Sequence, residues 1–92
     1  MTITFEFAAP FALVLGEKTI SLTIEQNTLT LERAIALIFK RHPETLKKLI
    51  INKMVKDGML DAMFISNNQL LDKGAILTDG ALIKVLSPIC GG

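Results

Sequence analysis

Apolar and polar positions alternate at the start of the chain, where Ile3, Phe5 and Phe7 are separated by Thr4 and Glu6 and preceded by Thr2. A two-residue period places successive side chains on opposite faces, so this stretch predicts a strand with one buried face. The alternation breaks between Ala8 and Gly16, at Pro10, and Gly16-Glu17-Lys18 reads as a turn. It resumes with Ile20, Leu22 and Ile24 set inward against Thr19, Ser21 and Thr23, and the two strands predict an antiparallel pair closed by Glu25-Gln26-Asn27.

Beyond this the period lengthens. Leu31, Ala34, Ile35, Ile38 and Phe39 fall at i, i+3, i+4, i+7 and i+8, the spacing of a helix with one apolar stripe. Thr30 stands where a hydroxyl can accept from a free amide of the first turn, and His42-Pro43 ends the run. A shorter helix follows, with Leu46, Leu49 and Ile50 on one side and Glu44 four residues before Lys48, and is expected to run on to a stop at Asp57-Gly58. Leu60 to Ile65 reads as a strand, Asn67-Asn68 as a turn and Gln69 to Leu71 as a short edge strand. Asp79-Gly80 launches a last strand, Leu82 to Leu86, which is apolar on both faces except at Lys84 and is therefore expected in the middle of a sheet. Two strands, a helix, then more strands make an α+β arrangement, with a mixed sheet of four or five strands and one main helix across one face.

Ninety-two residues allow one modest core. Half of them are hydrophobic, enough to leave apolar surface for a partner. The net charge of +1 provides no field that argues for nucleic acid or membrane. Lys40, Arg41, Lys47, Lys48, Lys53 and Lys56 do cluster, but without Trp or Tyr for base stacking they read as a solvated helix face. One cysteine, Cys90, excludes an internal disulfide and a multi-cysteine metal site; no metal is expected. The apolar stretch Phe7 to Leu15 is too short to span a bilayer and no basic leader precedes it, so the expected compartment is the cytoplasm. His42 stands alone and reads as a surface residue, Met54, Met59 and Met63 read as adaptable filling, and no glycine-rich phosphate loop precedes a helix.

The end of the chain reads differently from its body. Residues 1–86 make the folded domain and residues 87–92, Ser87-Pro88-Ile89-Cys90-Gly91-Gly92, a free tail. Pro88 lacks an N–H and keeps Ser87 out of the α region, which stops the preceding strand and sends the chain out extended. Six residues reach about 20 Å. Without Cβ atoms, Gly91 and Gly92 can enter a slot too narrow for other residues and bring a carboxylate close to a partner's reactive group.

Taken together, Thr30-Leu31-Glu32 opening the helix, Arg41-His42-Pro43-Glu44 closing it, Leu77-Thr78-Asp79-Gly80 before the last strand, and Pro88 through Gly92 resemble the ubiquitin-fold sulfur carriers: the small subunit of molybdopterin synthase and its relative in thiamine synthesis. The similarity spans essentially the whole chain and implies a β-grasp fold. It implies that Gly92 is adenylated by an ATP-dependent activating enzyme, which holds the nucleotide, and is then converted to a thiocarboxylate, with Gly91 beside it. In the molybdopterin branch the tail enters the large synthase subunit and its sulfur attacks the precursor; another sulfur acceptor would serve a different pathway. The chain departs from many such carriers in having Ser87 before Pro88 and Ala81 after the Asp-Gly turn, and in extra residues around Ile51 to Gly58.

Pro88, Ile89 and Cys90 are expected to line the partner's groove. Cys90 offers either a small apolar contact or a thiol able to trap a Gly92 thiocarboxylate. Leu82, Lys84 and Leu86 would lie on the sheet face away from the helix if Ile83 and Val85 face it, available for docking unless Phe11 to Leu15 folds over them. Two other functions fit the same residues: a protein modifier joined through Gly92 to lysines, and a β-grasp binding module whose terminal glycines do nothing.

Overall fold

The structure, a computed structural model, describes residues 1–88. The first strand, β1 (Thr2–Phe7), buries Ile3, Phe5 and Phe7, and β2 (Thr19–Thr23) runs antiparallel to it with Ile3 opposite Leu22 and Phe5 opposite Ile20. Between them the chain forms a short helix, α1 (Phe11–Leu15), which buries Phe11 and Leu15 one turn apart and stops at Gly16, whose φ of 73° suits a residue without Cβ. The pattern of apolar positions carries no sign of α1, because five residues are too few to establish a helical period.

The main helix, α2 (Leu31–Arg41), begins where expected: the Thr30 hydroxyl accepts from the Arg33 amide at 3.4 Å. Leu31, Ala34, Ile35 and Ile38 are buried against the sheet, while Phe39 is only half-buried. α3 (Pro43–Ile51) follows with Pro43 in its first turn. It stops well short of Asp57-Gly58. Lys53 adopts φ 58°, its amide donates to Ile50 O at 3.0 Å and the Met54 amide donates to Leu49 O at 2.9 Å, a paired closure that satisfies the last free carbonyls. Of the three apolar residues expected on one side of this helix, Leu49 is buried, Leu46 half-buried and Ile50 exposed.

Asp57 and Gly58 instead form the tip of a small hairpin, β4 (Val55–Lys56) and β5 (Met59–Leu60), with φ of 53° and 77°, the pair of left-handed residues that a two-residue turn between twisted strands demands. The stretch read as one strand from Leu60 to Ile65 is thereby divided. The Asp61 amide donates to Met54 O at 2.8 Å, and pairing resumes only at β6 (Met63–Ser66). Asn67 and Asn68, both with positive φ, turn the chain into β7 (Gln69–Leu71), and a three-residue strand, β8 (Ile76–Thr78), pairs with β3 (Thr28–Thr30) in a separate ribbon that buries Leu29 and Leu77.

The last strand, β9 (Leu82–Leu86), completes a mixed sheet whose order, among the described residues, is β2-β1-β9-β6-β7. β9 lies in the centre, parallel to β1 and antiparallel to β6. Its inward residues Ile83 and Val85 are fully buried with Phe5 beneath α2. The turn before it is fastened to the start of β1: Asp79 Oδ1 accepts from the Thr2 amide at 2.7 Å, the Gly80 amide donates to Thr2 O at 2.9 Å, and the Thr4 amide donates to Ala81 O at 2.9 Å. Asp79→Ala is expected to cost about 1 kcal/mol in urea unfolding, since this charge-assisted bond is solvent-exposed, and Asp79→Asn should recover part of it. An unchanged midpoint would show that the two glycine-turn backbone bonds hold the register alone.

Candidate functional site

The central strand sets up both parts of the candidate site, an outer sheet face and an exit for the chain. Because Ile83 and Val85 point into the core, Leu82, Lys84 and Leu86 fall on the outer face: Leu82 is 45% exposed, Lys84 exposed and Leu86 half-buried. The structure thus brings the three expected residues together. Cover from Phe11 to Leu15 is ruled out, because Phe11 and Leu15 are committed to the core beneath the sheet and α1 packs against α3.

Pairing extends this face in two different directions. Toward β6 and β7, Met63 stands opposite Leu86, Ile65 opposite Lys84, and Leu70, 69% exposed, opposite Ile65. Residues directly opposite one another share a face, so the β9 side chains join a contiguous apolar field. Met63 belongs to this field rather than to core filling, whereas Met54 and Met59 do pack against the core. Toward β1 and β2 the face is polar: Thr4 stands opposite Leu82 and Glu6 opposite Lys84, and hydroxyl pairs Thr2–Thr23 (3.2 Å) and Thr4–Ser21 (3.3 Å) bridge the strands. Met63, Ile65 and Leu70 were missed from sequence, although Phe64 facing inward and the Asn67-Asn68 turn together fix their side.

At the exit, the Ala8 amide donates to Val85 O at 3.0 Å, so the ladder with β1 continues past Phe7. Pro88 is exposed. Ile89, Cys90, Gly91 and Gly92 lie outside the described residues. His42 is exposed between α2 and α3. Among the described residues no group of three or more His, Cys, Asp and Glu side chains comes together as a metal site, and no helix is long and apolar enough to cross a membrane. An open hollow beside the end of β2 is lined by Thr23, Glu25, Gln26 and Leu37, and the Arg41 guanidinium there donates to Thr23 O at 2.8 Å.

A mixed sheet with a central last strand parallel to the first, and one principal helix across its inner face, is the ubiquitin-like β-grasp fold. Solved structures share it over the full chain. Small archaeal modifier protein 1 from Haloferax volcanii superposes with a TM-score of 0.76 at 20% identity, covering 100% of both chains. A Pyrococcus furiosus protein described as a candidate subunit 1 of molybdopterin converting factor gives 0.69 at 17% identity, over 97% of this chain and 99% of that one. Subunit 1 or 2 of the Helicobacter pylori molybdopterin-converting factor, solved as a complex of the two subunits, supplies a chain that matches at 0.58 with 25% identity over 100% of both chains. No protein-family profile and no curated protein matches the sequence.

Proposed function

We propose that this protein is a sulfur carrier whose own Gly92 carboxylate is the group transformed, and that it serves molybdopterin synthesis as the small subunit of the synthase. The observation that carries the reading is the position of β9: Gly91-Gly92 follow, by way of Ser87-Pro88-Ile89-Cys90, from a strand hydrogen-bonded on both sides in the middle of the sheet. A probe leaving a rigid base can be aimed, and two residues without Cβ let it pass into a narrow channel.

The chemistry is supplied from outside. An activating enzyme holds ATP; a Gly92 carboxylate oxygen attacks the α-phosphorus and pyrophosphate leaves. A persulfide's terminal sulfur then attacks the acyl carbon and AMP leaves. A second thiol cleaves the resulting sulfur–sulfur bond, leaving a thiocarboxylate on Gly92 and a disulfide on the donor. The likeness to a converting-factor chain solved with its other subunit supports a large-subunit partner that receives the tail. The outer face of Leu82, Lys84 and Leu86, extended by Met63, Ile65 and Leu70, is the docking surface in this reading.

Intact-mass measurement after incubation with ATP, an activating enzyme and a sulfur source tests it: an oxygen-to-sulfur exchange confined to Gly92 is expected, and an unaltered mass in a system that charges a known carrier sinks the proposal. Leu82→Asp is expected to weaken docking to the activating enzyme by about 30-fold, the effect of losing a central apolar contact, with the fold retained. Unfolding of that variant would instead assign Leu82 to the core.

A second reading is favoured by the full-length likeness to an archaeal small modifier. Activation is the same, but a lysine amine on another protein attacks the acyl carbon, AMP leaves, the amine gives up a proton and an isopeptide bond forms. Covalent adducts in cells separate this outcome from sulfur transfer.

A further inference from the structure

We infer that the open edge of β2 is a peptide-binding site, and that its occupant is an extended segment of another protein that adds an antiparallel strand there and seats an aliphatic side chain beside Leu37. β2 forms one border of the five-stranded sheet. The Ile24 amide donates to Met1 O at 2.9 Å and the Phe7 amide to Lys18 O at 2.7 Å, so Lys18, Ile20, Leu22 and Ile24 turn their backbone groups toward β1. The alternate residues Thr19, Ser21 and Thr23 therefore aim N–H and C=O away from the sheet, and the Arg41 bond to Thr23 O comes from that side. Among the described residues no strand covers this border. Natural edges are blunted by proline, lysine, a bulge or extreme shortness, whereas β2 pairs in unbroken register over five residues and contains neither proline nor lysine. The opposite border, β7, has three residues, of which only Leu70 turns outward once Ser66 and Gln69 have closed the two-residue turn between them.

The hydrogen-bonding pattern of the border selects the occupant. Donors and acceptors repeat there at every second residue, which only another extended backbone can meet position by position. Residues directly opposite one another share a face, so a peptide residue across from Leu22 or Ile24 points toward α2. There it meets the open hollow of about 730 Å³ beside Ile24, the half-buried Leu37 and Arg41, where an aliphatic side chain can pack on Leu37. A second copy of this chain is a poorer occupant. Pairing β2 with itself over its full length centres on Ser21, which sets Glu17 of each copy opposite Glu25 of the other and brings Lys18 of each copy opposite Ile24, at the other's Arg41 hollow. Both juxtapositions oppose self-pairing by like charge. β1 separates this border from β9, so the site is independent of the chemistry at Gly92.

The test titrates an eight-residue peptide of alternating threonine and valine, with a glutamate at each end for solubility, into the isotope-labelled full chain. Amide shifts and slowed hydrogen exchange are expected at Thr19, Ser21 and Thr23, with shifts at Leu37. In the antiparallel ladder the peptide's threonine N–H groups donate to β2 and its valine N–H groups point away. N-methylation of the threonines should therefore weaken binding by at least about 30-fold, and N-methylation of the valines by no more than about twofold. Replacing the valines by serines should weaken it by about tenfold, through loss of the contact with Leu37. Ser21→Pro removes the central outward donor without touching the ladder with β1 and should abolish binding with the fold retained. If that variant fails to fold, the two N-methylated peptides decide. No binding at about 1 mM peptide, binding that survives threonine N-methylation, protection at the outer sheet face or α3 instead of β2, or dimerisation through β2 without peptide would each overturn the inference.

Discussion

Removal of Gly91 and Gly92 is expected to abolish sulfur loading completely while leaving thermal and urea unfolding unchanged. The expectation joins two features: the chemistry proposed for this protein resides in one carboxylate at Gly92, and the core of the described residues is assembled from Ile3 to Val85. Truncation leaves a carboxylate, on Cys90, but displaces it toward the body by two residues, about 7 Å, and gives it a side chain where the channel must be narrow. Because effective positioning is lost with far smaller displacements, no residual charging is expected. Intact-mass analysis of the loaded and truncated proteins reads the result directly. A truncated chain that still exchanges oxygen for sulfur would remove Gly92 from the mechanism, and one that keeps a cellular function without loading would favour a binding module.

The second large effect concerns the base from which that carboxylate is presented. Phe5 is fully buried on β1, beside β9 and opposite Ile20. Phe5→Ala is expected to cost about 3–5 kcal/mol, the loss of transfer free energy plus the cavity left in a core that cannot collapse around it. With the stability of a small domain at about 5–15 kcal/mol, that is a large share, and the urea midpoint should fall by about 2–3 M. Phe5→Leu should recover most of the loss. A cost for Phe5→Ala below about 1 kcal/mol would show that the sheet's inner face is not tightly packed.

The sequence was legible where one physical rule governed many residues. Ile3, Phe5, Phe7, Ile20 and Leu22 alternate because each of their strands buries a single face, and α2 shows its stripe over a full eleven residues with Thr30 at its head. It failed where elements are short or are defined only by distant partners. α1 contains five residues, and β3 and β8 three each, paired across more than forty positions of sequence. Asp57-Gly58 is equally good as a helix stop and as a hairpin tip; the choice was made upstream by Lys53, whose left-handed backbone ends α3 and carries no compositional signal. The outer face followed the same logic. Leu82, Lys84 and Leu86 were readable from a period of two, whereas Met63, Ile65 and Leu70 join them only through strand register.

The parallel pairing of β1 with β9 has a mechanical consequence. The first strand and the strand leading to Gly92 lie side by side and point the same way, so a pull between the two ends of the chain would load their ladder lengthwise, straining its bonds together instead of unzipping them in turn. If the proposed handover between enzymes takes place through the last residues, tension between that grip and the start of the chain would meet this lengthwise resistance.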